Sequence, residues 1–195
     1  MPMWISMALF ALAASITPGP VNIVALASGA QHGVWRSMRH VLGATVGFTA
    51  LLLLTGLGLH GVLVQWPQLV RLMQFAGMAF LLFMAWKLAT DDGRLGDGQT
   101  TPGPSVRYGA VMQWLNPKAW LAAVAGMATY AADGSRSVIW QFAAIYFVIC
   151  YVSVGAWAYA GAFLRPYLRN ARRVQRFNRL MAVLLALSAL YLLIA

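Results

Sequence analysis

The chain has 195 residues, 61% of them hydrophobic and 9% charged, whereas an average soluble domain carries about a quarter charged residues. Its formal charge is +10, from 14 Lys and Arg against 4 acids, all of them Asp. This balance excludes an ordinary soluble domain, and the long uncharged runs place the chain in the membrane class.

A spanning helix needs roughly 20 mainly apolar residues. No Asp, Glu, Lys or Arg occurs in residues 1–35, 40–70, 72–86, 137–164 or 180–195, and residues 108–132 hold only Lys118. Six spans follow, at about 4–28, 39–62, 67–88, 108–130, 138–163 and 177–195. The N-terminus lacks the basic region of a signal peptide, since Met1-Pro2-Met3-Trp4 leads straight into the apolar stretch.

Span one carries Thr17-Pro18-Gly19-Pro20-Val21-Asn22. Proline removes a backbone donor and clashes with the preceding turn, so no helix runs undisturbed through this point. The span ends near Gly29-Ala30-Gln31-His32-Gly33, and the first connection holds Trp35, Arg36 and Arg39. Span two opens with Gly43 and Gly47, a small-residue spacing that serves either dimerisation or close internal packing. At its far end Gly56-Leu57-Gly58-Leu59-His60-Gly61 formally matches a dinucleotide fingerprint. No amphipathic helix or acid follows at the required distance, so it reads as a glycine-rich helix end.

Span three leads into the sustained polar segment, 91–105, which reads as a linker dividing the chain into half-repeats of about 1–90 and 106–195 within one transmembrane transporter domain, 1–195. Span four contains the second break, Asn116-Pro117-Lys118. Span five holds the lone Cys150, which reads as a buried small hydrophobe. Six arginines then fall between Arg165 and Arg179. They lie between two spans and so belong against anionic lipid headgroups, not nucleic acid. Connections 1–2, 3–4 and 5–6 carry eleven Lys and Arg, while the opposite side holds Arg71 and Arg136. The positive-inside rule puts those three connections in the cytoplasm and both termini outside.

Pro18 and Pro117 each lie in the first span of a three-span half. Three is odd, so equivalent halves run in opposite directions, as in an inverted 3+3 repeat with discontinuous first and fourth helices. Interrupted spans at matching positions are the best sequence pointer to a transporter's site, because the backbone groups they free are tolerated only inside protein or along a wet cavity. An intramembrane charge such as Lys118 suits a solute carboxylate. The two breaks, with Asn22, Asn116, Lys118 and the backbone groups freed beside them, are therefore the candidate solute site. The blander alternatives are a simple bend at each proline, asparagines that bond from helix to helix, and a lysine that snorkels to the interface.

These motifs resemble the LysE/RhtB family of amino-acid exporters. The first-span signature is continued by Ala27-Ser28-Gly29 and His32-Gly33; Gly43 and Gly47, Gly77 with Phe80-Leu81, Asn116-Pro117-Lys118-Ala119 and Arg176-Phe177-Asn178-Arg179-Leu180 follow in order. The resemblance implies a small multi-pass carrier of the bacterial inner membrane that exports amino acids or related metabolites in exchange for protons, and it points to Thr17, Pro18, Gly19, Pro20, Asn22, Asn116, Pro117 and Lys118 as the substrate-binding positions. Two departures stand out. Ala128-Thr129-Tyr130 replaces a Pro-Gln-Phe, and span five has no Asp. An intramembrane carboxylate is the usual proton relay. His40 and His60 titrate in the right range but stand near span ends.

Two other classes are weaker. A cation exporter calls for acidic or sulfur ligands in its spans, and a multi-pass scaffold or assembly subunit gives no reason for two paired breaks. An enzyme calls for a convergent acid, base or nucleophile set, which is missing from the spans. No Gly-Lys-Ser/Thr phosphate loop occurs, so neither a nucleotide nor any other cofactor or metal is expected.

Overall fold

Chains that cross lipid must bond every backbone group internally, which leaves helices as the economical solution for a sequence this apolar. The computed structural model describes residues 2–59, 65, 67–92, 105–168 and 170–194, and these residues form helices and short connections without a strand. Eight α-helices follow in order: α1 Met3–Ile16, α2 Pro20–His32, α3 Val34–Leu54, α4 Pro67–Ala89, α5 Val106–Trp114, α6 Pro117–Tyr130, α7 Arg136–Leu164 and α8 Ala171–Ile194. A wider turn, Thr55–Leu59, extends α3. His60, Gly61 and most of the 91–105 linker lie outside the described residues.

Among the described residues, Val34–Gly58 and Arg136–Tyr167 are each long and apolar enough to cross a membrane. The pair α1 and α2, bent by 62°, makes a third span if taken together. The sequence-based boundaries need one clear correction. Trp35, Arg36 and Arg39 belong to α3 and not to a connection, because Gly33 alone turns the chain, at φ 79°. Four of the six expected connection arginines, Arg172, Arg173, Arg176 and Arg179, likewise sit in the first turns of α8.

Helix α7 runs through the centre, against α1, α2 and α3. Helix α5 packs on α3, and α4 on α8. At the end of the bundle reached by α2 and α5, glycines bring backbones into direct contact. A Cβ on Gly29 would stand 1.9 Å from the Ala158 carbonyl oxygen, and one on Gly161 the same distance from that of Leu26. Gly43 meets Val106 and Gly109 meets His40 in the same reciprocal way. The Gly43–Gly47 face is thus occupied internally by α5. Polar side chains tie this end further. Asn178, fully buried, donates to Asp91 Oδ1 at 3.0 Å, and Gln31 reaches Asn178 Oδ1 at 3.5 Å, joining α2, α4 and α8.

The opposite end is filled by rings. Phe10, Tyr130 and Phe142 pack with centroids 5.1 to 6.0 Å apart. Ser6 Oγ and Tyr130 Oη share a hydrogen bond of 2.9 Å. Between the two ends, Phe48 of α3 stacks on Tyr146 of α7 at 4.3 Å.

Candidate functional site at the paired helix breaks

Each break is built by the same local chemistry. Proline opens the second half-helix in both, Pro20 in α2 and Pro117 in α6. Its fixed φ suits a first turn, and its missing N–H is one that turn would leave unbonded anyway. What differs is the chain before it. Gly19 is extended at φ −165° and offers no side-chain cap. Asn116 caps its own helix, its Oδ1 accepting from the Lys118 amide at 3.2 Å.

Carbonyls freed where the first half-helices stop must find donors. The accounts of the two breaks run in parallel. Trp157 Nε1 donates to the Ile16 carbonyl at 3.0 Å, and Trp120 Nε1 donates to the Trp114 carbonyl at 2.8 Å. Asn22 Nδ2 donates across its break to Ser15 O at 2.8 Å and Thr17 O at 3.2 Å. Asn116 Nδ2 donates to Gln113 Oε1 at 3.2 Å. Each asparagine bonds within its own span, so helix-to-helix bonding does not explain them.

One bond joins the two breaks. Lys118 Nζ, from the start of α6, donates to Thr17 O at 2.5 Å and Pro18 O at 3.4 Å. Gly19 makes room for this crossing, since a Cβ there would stand 3.1 Å from Lys118 Cδ. Half-buried, the lysine rests its charge on main-chain oxygens of the other half.

A cleft of about 360 Å³, including its solvent-facing space, opens at this junction. Of the expected residues, Gly19, Asn22, Asn116 and Lys118 line it. Thr17 and Pro18 are exposed and contribute carbonyls to Lys118, while Pro20 and Pro117 shape the turns without lining the cleft.

The lining also includes residues outside the expected set, among them Ser15, Phe48, Gln113, Tyr146 and Cys150. Ser15 and Gln113 flank the breaks and are open to inference on that ground. Tyr146 and Cys150 stand one helical turn apart on α7, and nothing in their sequence context separates them from other buried residues. Cys150 is buried as expected, and accepts a long contact from Thr45 Oγ1 at 3.9 Å, but it also walls the cleft. Ser15 Oγ is buried with no protein hydrogen-bond partner. Among the described residues, no carboxylate lines the cleft.

The LysE type translocator family model matches residues 12–195. The chain belongs to this family. Curated relatives agree with it. The cysteine/O-acetylserine efflux protein of Escherichia coli O1:K1 is 30% identical over 182 residues, covering 92% of each chain. Its counterpart in Salmonella choleraesuis is 28% identical over 183 residues, again with 92% of each chain covered. No solved structure matches this translocator. Membership accounts for the order of the motifs along the chain, and it makes this a transporter and not an enzyme.

Proposed function

We propose that this protein is a secondary exporter of amino-acid-like solutes across the bacterial inner membrane, working by alternating access around the cleft between the two breaks. Cysteine and O-acetylserine, the solutes in the relatives' names, are the first candidates. The observation that carries the reading is the Lys118 bridge, in which one half's charge occupies the carbonyls freed in the other half.

Six spans in an inverted 3+3 arrangement, with both termini outside, fit the packing. Span one lies on span five through α1, α2 and α7, and span four lies on span two through α5 and α3. Spans two and five pack on each other, as do three and six, which is the pattern a two-fold axis in the membrane plane produces. The halves differ in one respect. Helix α2 is clasped to α7 and α5 to α3, whereas α6 touches α3 far less. A carrier shut at one end and looser at the other has this asymmetry. With both termini outside, the shut end is the cytoplasmic one, where the Arg165–Arg179 segment meets anionic headgroups.

The lining of the cleft suggests how a zwitterion is held. Its described residues include no acid, so backbone oxygens, with side-chain amides beside them, are what it offers a solute's ammonium. The Thr17 and Pro18 carbonyls serve that purpose once Lys118 is displaced, and the released lysine pairs with the solute's carboxylate. Asn22, Asn116 and Gln113 complete the hydrogen bonds. Thr17, Pro18, Gly19 and Pro20, with Pro117 opposite, hold the two backbones in the broken geometry that exposes them.

The test is counterflow of labelled cysteine, within a panel of amino acids, by purified protein in vesicles. The wild type is expected to exchange at least one member of the panel, and Asn116→Ala to lower its rate at least tenfold. Full-rate exchange by a membrane-inserted Asn116→Ala protein overturns the site. Failure of the wild type to move any member overturns the function.

A further inference from the structure

Sequence position puts His40 near a span end, but the structure puts it inside the protein. Its side chain is fully buried in α3. Among the described residues neither Nδ1 nor Nε2 meets hydrogen-bond geometry, the Val21 backbone offering only a loose approach. Buried polar side chains are bonded in the large majority of cases, and each exception calls for a reason.

The surroundings supply one. His40 lies in the seam where α3 and α5 touch, its own carbonyl pressed against Gly109. Its ring meets Tyr108 of α5 at 6.0 Å. From α2 it faces the backbone of Val21, which lines the solute cleft one residue before Asn22. The seam therefore borders both the shut end and the cleft. Titratable groups around it are sparse. On α5 it is Tyr108; Tyr146 and Cys150 of α7 meet Phe48 and Thr45 of α3 instead; Lys118 of α6 is engaged by Thr17 and Pro18. Arg36 and Arg39 share α3 with it, and all four Asp residues of the chain stand at 91, 92, 97 and 133, outside the expected spans.

A neutral imidazole fits this dry seam, and an imidazolium does not, because a buried charge without a partner is strongly disfavoured. Closure of this end thus requires an unprotonated His40, and protonation favours opening it. We propose that His40 carries the coupling proton of this transporter: proton uptake opens the end sealed by α3 and α5, and proton release lets it close around a solute. The proton adds to a free imidazole nitrogen and leaves from it, with no other bond changed. In an exporter the order follows. The open cytoplasmic side releases the proton and takes the solute, and the outward side releases the solute and takes a proton. This inference rests on the transport reading and assigns the coupling group within it.

Vesicles containing the purified full-length chain separate the two. Cysteine counterflow at equal pH reports solute binding and movement; accumulation driven by an inside-acid gradient reports coupling. For His40→Gln, counterflow is expected within about twofold of wild type, and gradient-driven accumulation is expected to vanish. A trapped pH dye should show wild-type protons moving out as cysteine moves in. Retained gradient-driven accumulation in His40→Gln overturns the assignment, as does an equal loss of both activities in a folded variant. If the variant does not fold, the wild-type dye measurement decides, and cysteine flux without proton movement overturns the proposal. Absence of counterflow in the wild type overturns the transport reading itself.

Discussion

The two ends of the bundle are closed by different materials. Where α2 and α5 finish and begin, glycines at 29, 43, 109 and 161 set backbone against backbone. Where α1 begins and α6 finishes, Gly126 faces the Phe142 ring and Gly56 faces Met127 Sδ, so side chains do the filling. A backbone seam is either closed or open, since it has no rotamers to adjust. A ring cluster yields gradually. A carrier that must seal one end completely while the other admits solute benefits from both kinds of contact.

The same substitution at each end breaks or sharpens this contrast. Gly29→Ala puts a carbon 1.9 Å from the Ala158 carbonyl oxygen, and Gly126→Ala puts one 2.7 Å from Phe142 Cε1. The first must push a pair of helices apart and is expected to cost about 3 kcal/mol or more; the second shifts a ring and is expected to cost about 1 kcal/mol. Thermal unfolding in detergent measures both, and equal losses would remove the distinction. Tyr130→Phe tests the ring end more gently. It deletes the bond to Ser6 and should cost about 1 kcal/mol, with the transport rate preserved in vesicles.

The smallest effect concerns pH at the backbone-sealed end. His32 stands at the surface terminus of α2, beyond the apolar stretch. Burial holds its imidazole below the usual 6.5, and Arg36 and Arg165 add to this while the Ser28 backbone and Asp91 oppose it. The unfolded chain therefore binds the proton more readily than the folded one. Its contribution to stability is present above about pH 6.5 and declines as the pH falls below it. His32→Gln should flatten that slope in melting curves taken between about pH 7.5 and 5.5, a window set around the ordinary imidazole value. A slope left unchanged would remove His32 as its source.

Much of this architecture was legible because proline and charge act locally. The helix breaks fall at Pro20 and Pro117 with the chain disturbed just before each, as the sequence requires. The uncharged runs give the helices to within a few residues, apart from the ends that Gly33 and the arginine segment displace. Lys118 could be singled out as an intramembrane charge, but not its partner. Its bond to Thr17 crosses about 100 residues of chain, and no local pattern carries that information.

What the sequence determined by itself was the solvent and the interruptions: an apolar chain that must satisfy its backbone internally, broken twice where proline removes a donor. Tertiary structure decided what the breaks face. Tyr146 and Cys150 became walls of the cleft only because α7 runs through the centre. His40, placed by sequence near a span end, became fully buried because Gly43 and Gly109 let α5 press against α3. The physical reason is the same throughout. Backbone chemistry is fixed residue by residue, whereas burial and the partner of a charge depend on segments that meet only after the helices pack.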